Sequence, residues 1–158
     1  MFGFGQAPTH TSDVQFGLAV SSDKQTFDLT FDNFEVAVRP GKSLAPMATR
    51  LFHLALPLED GSTGVEIAFA IQGAVLTLEG ATGTMVFSVN GQSIVADFPA
   101  NSDKEYVQEL KFKAATASEC RLGVFLVAGR DSKNSNAEAY LNVTSINATI
   151  QPSTKKKS

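Results

Sequence analysis

Tryptophan is absent from this chain of 158 residues, cysteine occurs once, and histidine and tyrosine occur twice each. The single cysteine, Cys120, excludes an internal disulfide. Two histidines, His10 and His53, together with that thiol match no ligand spacing for a transition metal. They also leave little for nucleophilic catalysis, which needs a histidine within hydrogen-bond reach of a serine or cysteine. His10 lies in a Gly- and Thr-containing arm, and His53 sits on a strand-like run with no Ser, Cys or Asp in phase beside it. Cys120 shares its phase with Leu122 and Val124 and reads as a buried, inert thiol. No catalytic residue, metal or cofactor is expected.

Charge is scarce as well. Asp, Glu, Lys and Arg make up 18% of the chain, against about 25% in an ordinary soluble domain. Ser, Thr, Gly, Asn and Ala stand in their place. Such a surface repels neighbours weakly and suits packing against copies of itself or other assembly proteins. The net charge is -3, and Lys155, Lys156 and Lys157 at the very end are positive, so the body is more acidic than the total. That leaves no basic face on which the folded domain could lay nucleic acid. No stretch approaches the roughly 20 apolar residues of a membrane span, so no membrane partner is expected. The start, Met1-Phe2-Gly3-Phe4-Gly5-Gln6, has neither the basic nor the apolar region of a signal peptide. Synthesis and use in a cytoplasm is the expectation. The acidic residues are scattered: Glu59-Asp60 and Asp97, Asp103 and Glu105 form no Asp-x-Asp-x-Asp-Gly series for calcium.

What the chain does have is alternation. Short period-2 apolar segments follow one another from Phe27 to Ile150, and none reads as a helix. Met85-Val86-Phe87-Ser88-Val89, then Asn90-Gly91, then Gln92 to Phe98 is a hairpin signal, because a type I′ turn needs φ > 0 at both central residues. Phe27, Leu29 and Phe31 share a face, and Phe34, Val36 and Val38 share the next. Asp32-Asn33 between them either turns the chain as a tight hairpin or kinks one long strand as a bulge, the second being preferred because Gly is absent. Phe52, Leu54, Leu56 and Leu58 point inward with His53 outward, and Val65, Ile67, Phe69 and Ile71 alternate before Gly73. Ala74, Leu76 and Leu78 form a further apolar set after it. Tyr106, Leu110 and Phe112 oppose Lys111 and Lys113. Cys120 to Ala128 is apolar on both faces, which marks a central or covered strand. The last run, Ala139 to Ile150, changes phase between Val143 and Ile146 and predicts a bulge near Ser145.

Roughly nine or ten strands at this spacing predict a single-domain, all-β, antiparallel two-sheet sandwich. The divisions expected are an extended arm over 1–24, a sandwich over 25–150 and a basic tail over 151–158. The strand pattern resembles the broad jelly-roll class, which includes virion shell and decoration proteins and many carbohydrate-binding modules. Architecture carries that resemblance, and no motif transfers a functional residue. It implies either a non-catalytic structural protein that assembles with itself and other assembly proteins, such as a phage or virion head component, or a ligand-binding module. Phe2 and Phe4, set between glycines without a core of their own, are the candidate arm contacts to a neighbouring subunit. The polar loop from Gly129 to Asn136, with Arg130, Asp131, Lys133 and Asn134, is the candidate ligand loop. The ligand, a glycan ahead of other classes, would be held by this loop and the Asp97–Asp103 loop at one end of the sandwich or by a concave sheet face. Twelve phenylalanines against two tyrosines and no tryptophan suit a core better than a sugar-stacking surface.

Overall fold

The computed structural model describes residues 3–4, 9–10, 14–41, 45–59, 63–116, 119–131 and 133–152. Their strands are β1 (Gly3–Phe4), β2 (Thr9–His10), β3 (Phe16–Val20), β4 (Thr26–Phe31), β5 (Glu35–Val38) and β6 (Met47–Glu59). Then follow β7 (Thr63–Leu78), β8 (Thr82–Val89), β9 (Gln92–Phe98), β10 (Asp103–Thr116), β11 (Glu119–Gly129) and β12 (Glu138–Pro152). They form two antiparallel sheets. The first has the order β1-β6-β11-β8-β9, with β2 also on β6; the second has β10-β7-β12-β4-β3, with β5 also on β12.

β4 and β5 both pair with β12, at Ser145–Thr149 and Ala139–Asn142, so they are two halves of one kinked strand, as the spacing of their phenylalanines requires. Counted as one, the eight main strands run first, eighth, third and sixth in one sheet and second, seventh, fourth and fifth in the other. That interleaving of two Greek keys makes the sandwich jelly-roll-like. The expected bulge in β12 lies between Val143 and Ser145. It faces the β4–β5 kink, and the Val143 amide donates to the Phe34 carbonyl at 3.1 Å across the junction. Each irregularity shifts the phase of its own strand by an odd number of residues. The inward sets Phe27, Leu29, Phe31, Phe34, Val36, Val38 and Ala139, Leu141, Val143, Ile146, Ala148, Ile150 therefore stay buried together.

The Asn90-Gly91 turn joins β8 to β9 with φ values of 48° and 90° and pairs Val89 with Gln92. Asparagine does more there than tolerate the conformation. Its Oδ1 accepts from the Arg121 amide at 2.7 Å and its Nδ2 donates to the Glu119 carbonyl at 3.1 Å, fastening the hairpin to the start of β11.

One segment differs from expectation. β7 runs unbroken through Gly73, so Val75 and Thr77 continue the inward face and Ala74, Leu76 and Leu78 point outward. The inward position goes to threonine because its buried hydroxyl donates to the Pro99 carbonyl at 2.7 Å and accepts from the Ser102 amide at 2.8 Å. A polar side chain in the core is tolerated when it is satisfied in this way.

Phenylalanines from both sheets fill the space between them. Phe52 meets Phe31 edge to face at 5.0 Å and Phe16 at 5.2 Å, while Phe69 meets Phe87 at 5.2 Å. Each such pair adds about 0.5–1.5 kcal/mol beyond the area it buries. Cys120 belongs to the same buried core, and burial, with Glu119 beside it, pushes the thiol pKa up to about 12.

Candidate interaction faces

The two outer faces of the sandwich differ in chemistry. On the first sheet, strand register aligns four apolar residues from four strands in a single row. Leu51 of β6 lies opposite Phe125 of β11, Phe125 opposite Val86 of β8, and Val86 opposite Val95 of β9. Leu51 is 42%, Phe125 38% and Val95 60% exposed, and Met47 is also exposed at the start of β6. Single exposed apolar side chains are ordinary; these stand side by side across four neighbouring strands. β11 is the central strand that its two apolar faces require, and its outer face contributes to this row.

The adjacent row holds His53, Gly123, Ser88 and Ser93. A Cβ at Gly123 would meet His53 Cδ2 at 2.9 Å and Ser88 Oγ at 3.1 Å, so both side chains lean over the glycine from neighbouring strands. The sequence placed no serine beside His53. Only cross-strand register brings Ser88 near it.

The outer face of the second sheet is mixed, with Val107 and Leu78 exposed among polar residues, and part of it is floored by small residues. Ala68 and Ala70 of β7 form the bottom of a trough of about 330 Å³. Glu109 and Lys111 of β10 rise on one side, and Asn147 and Thr149 of β12 on the other. It continues past Gly73 into a smaller depression of about 180 Å³ between Glu105, Val107 and Thr144. Beyond it, the Asn142 side chain accepts from the Ala74 amide at 2.7 Å and donates to the Tyr140 hydroxyl at 3.0 Å. That hydroxyl donates to Glu35 at 2.8 Å. Burial, then the Glu35 hydrogen bond, raises the Tyr140 pKa above the usual phenol value.

The residues singled out from the sequence fall in different places. Phe2 lies outside the described residues, and Phe4 belongs to β1, which pairs with Leu58 and Glu59 of β6 in the same chain. In the 130–137 loop, Arg130 donates to the Gly41 carbonyl at 2.9 Å and to the Asn134 carbonyl at 3.2 Å. Asn134 donates to the Glu79 carbonyl at 2.6 Å. These two side chains tie the loop to its neighbours, whereas Asp131 and Lys133 are exposed, with Asp131 Oδ1 accepting from the Lys133 amide. The loop and the Pro99–Ser102 turn do share one end of the sandwich, on either side of the end of β7. Among the described residues no three His, Cys, Asp or Glu side chains gather as a metal site, and no helix is long and apolar enough to cross a membrane.

No protein-family model matches the chain, and no curated protein matches it. Solved structures share its sandwich at low similarity. A chain in the structure of infectious bursal disease virus Gx strain is 11% identical, with a TM-score of 0.44 over 94% of this chain and 33% of that one. TmCBM61, solved with β-1,4-galactotriose, is 8% identical, with a TM-score of 0.34 over 89% of each chain. The CBM22-1 xylan-binding domain from Paenibacillus barcinonensis Xyn10C is 11% identical, with a TM-score of 0.34 over 96% of this chain and 90% of that one. The present chain spans a third of the first and most of the other two. At these scores the likenesses carry no conclusion about function.

Proposed function

We propose that this protein is a non-catalytic structural subunit that assembles with copies of itself or with other components of a shell, as in a phage or virion head. The observation that carries it is the apolar row Leu51, Phe125, Val86 and Val95 across one sheet, exposed at all but the half-buried Val86. Low charge density fits the same role, since few like charges oppose close packing. Synthesis in the cytoplasm and incorporation into a particle belong to this reading. Light scattering and negative-stain microscopy over a range of concentrations test it, comparing the wild type with Phe125→Asp. Discrete oligomers or particles lost in the variant support assembly through this face. Identical monomers for both, with and without candidate shell proteins, overturn it.

A second reading, a carbohydrate-binding module, rests on the trough over Ala68 and Ala70, whose walls of Glu109, Lys111, Asn147 and Thr149 offer both donors and acceptors to an extended polar ligand. A glycan array with and without calcium tests it, and binding abolished by Ala70→Trp, which fills the trough, supports it.

A further inference from the structure

We propose that β9 pairs edge to edge with β9 of a second copy, antiparallel about a two-fold axis at Val95. The inference rests on the assembly reading and names its partner.

The outer edges of the sandwich are treated unequally. At one flank β1 and β2 pair with β6 at Leu58–Glu59 and Leu54–Ala55, and β3, five residues with Gly17 inside it, ends the second sheet. At the other flank β9 and β10 are the terminal strands. β10 carries Lys104, Glu105, Glu109, Lys111 and Lys113, the charged edge by which sheets discourage pairing with other chains. β9, Gln-Ser-Ile-Val-Ala-Asp-Phe, has no proline and no lysine, and Asp97 is its sole charge. Of the terminal strands without lysine or proline, β1, β3 and β9, it is the longest.

The two-residue turn decides which backbone groups are available. Val89 and Gln92 close a type I′ hairpin as a hydrogen-bonded pair, so Ile94, Ala96 and Phe98 also bond to β8. The amides and carbonyls of Ser93, Val95 and Asp97 therefore point away from the sheet. A second β9 centred on Val95 meets all of them. Val95 faces its own copy, and each Ser93 hydroxyl comes opposite the other copy's Asp97 carboxylate, a donor against an acceptor. Centring the axis on Asp97 instead would set two carboxylates directly opposite, which is unfavourable. The strand is complementary to itself in the register centred on Val95. Pairing also joins the two apolar rows end to end, so that Val95, 60% exposed in one copy, is flanked by Val86 on one side and the other copy's Val95 on the other.

The test uses the full chain, with association followed by sedimentation equilibrium. Val95→Pro removes only an outward amide and leaves the β8 ladder intact, the edge position at which proline is tolerated. Each dimer loses two hydrogen bonds, which raises its dissociation constant about tenfold or more, while Val95→Thr associates as the wild type does. Independently, Val95→Cys forms a disulfide-linked dimer under mild oxidation, and Val107→Cys on the exposed face of β10 does not. Buried Cys120 stays silent in both. A monomeric wild type, undiminished association of Val95→Pro, or equal cross-linking of the two cysteine variants overturns the pairing. If Phe125→Asp abolishes association and Val95→Pro leaves it unchanged, the apolar face stands as an interface and the β9 contact falls alone. If neither variant changes the oligomer, the assembly reading falls with it.

Discussion

The phenol of Tyr106 reaches across Gly73 and donates a 2.7 Å hydrogen bond to the carbonyl of Asn142. Three strands meet in this contact: Tyr106 comes from β10, Gly73 lies in β7, and Asn142 sits beside the β12 bulge. The bulge shifts the β7–β12 ladder just past Val143, and the tyrosine supplies the donor there. Burial raises the Tyr106 pKa and holds the phenol in its donating form.

Gly73→Ala is expected to be severely destabilising, by about 3 kcal/mol or more. Its Cβ would lie 2.0 Å from the Asn142 carbonyl oxygen and 2.6 Å from the Tyr106 hydroxyl, and backbone cannot step aside. Gly123→Ala meets the ends of the His53 and Ser88 side chains, which can rotate, and costs no more than about 1 kcal/mol. Urea denaturation of the two variants checks the contrast.

Tyr106→Phe keeps the ring over Gly73 but leaves the Asn142 carbonyl without its phenol donor, costing about 1–3 kcal/mol. Thr77→Val, equal in shape, strands the Pro99 carbonyl and the Ser102 amide and falls in the same range. Thermal melts of both, with the double mutant, should give additive losses, since the two sites share no hydrogen-bond partner.

Asn90→Ala removes the bonds to Arg121 and Glu119 and puts an unsuited residue at a φ of 48°. A loss of about 1–3 kcal/mol is expected. Asn90→Asp keeps the acceptor but loses the donor to the Glu119 carbonyl, and its loss should be intermediate.

Stability should fall in alkali. The Cys120 thiol titrates at about 12 when folded, against a usual 9.0, because burial disfavours the thiolate. Above pH 9 the unfolded chain gives up this proton and the folded one keeps it, so the stabilisation present below pH 9 is lost as pH rises toward 12. Tyr106 acts in the same direction above its usual 10.0. Melting temperature across this range checks the slope, which Cys120→Ala should make shallower. Native Cys120 should also resist thiol reagents at neutral pH and react on unfolding.

Wherever hydrophobic spacing alone decides a face, the architecture was legible. The gap of three between Val143 and Ile146 announced the β12 bulge and Asn90-Gly91 the hairpin, while the gap between Phe31 and Phe34 left a kink or a tight turn open and only the absence of Gly favoured the kink. Continuity through Gly73 was hidden, because Leu76 and Leu78 point out and a satisfied threonine points in. The ties made by Arg130 and Asn134 run to carbonyls at Gly41 and Glu79, distant in the chain, so a loop of polar residues looked available for a ligand. The apolar row was hidden for a related reason. Its members lie in four strands, and only register lines them up.

The topology also imposes a schedule on synthesis. Hairpins β3–β4 and β8–β9 pair neighbours in sequence and can close as soon as they emerge. β12, by contrast, leaves the ribosome after β4, β5 and β7, all three of which it joins. Until then β3–β4 and β7–β10 are separate two-stranded pairs, so the nascent chain must hold the phenylalanines on their inner faces until β12 has emerged. Slow, chaperone-sensitive folding follows from the order in which the strands are made.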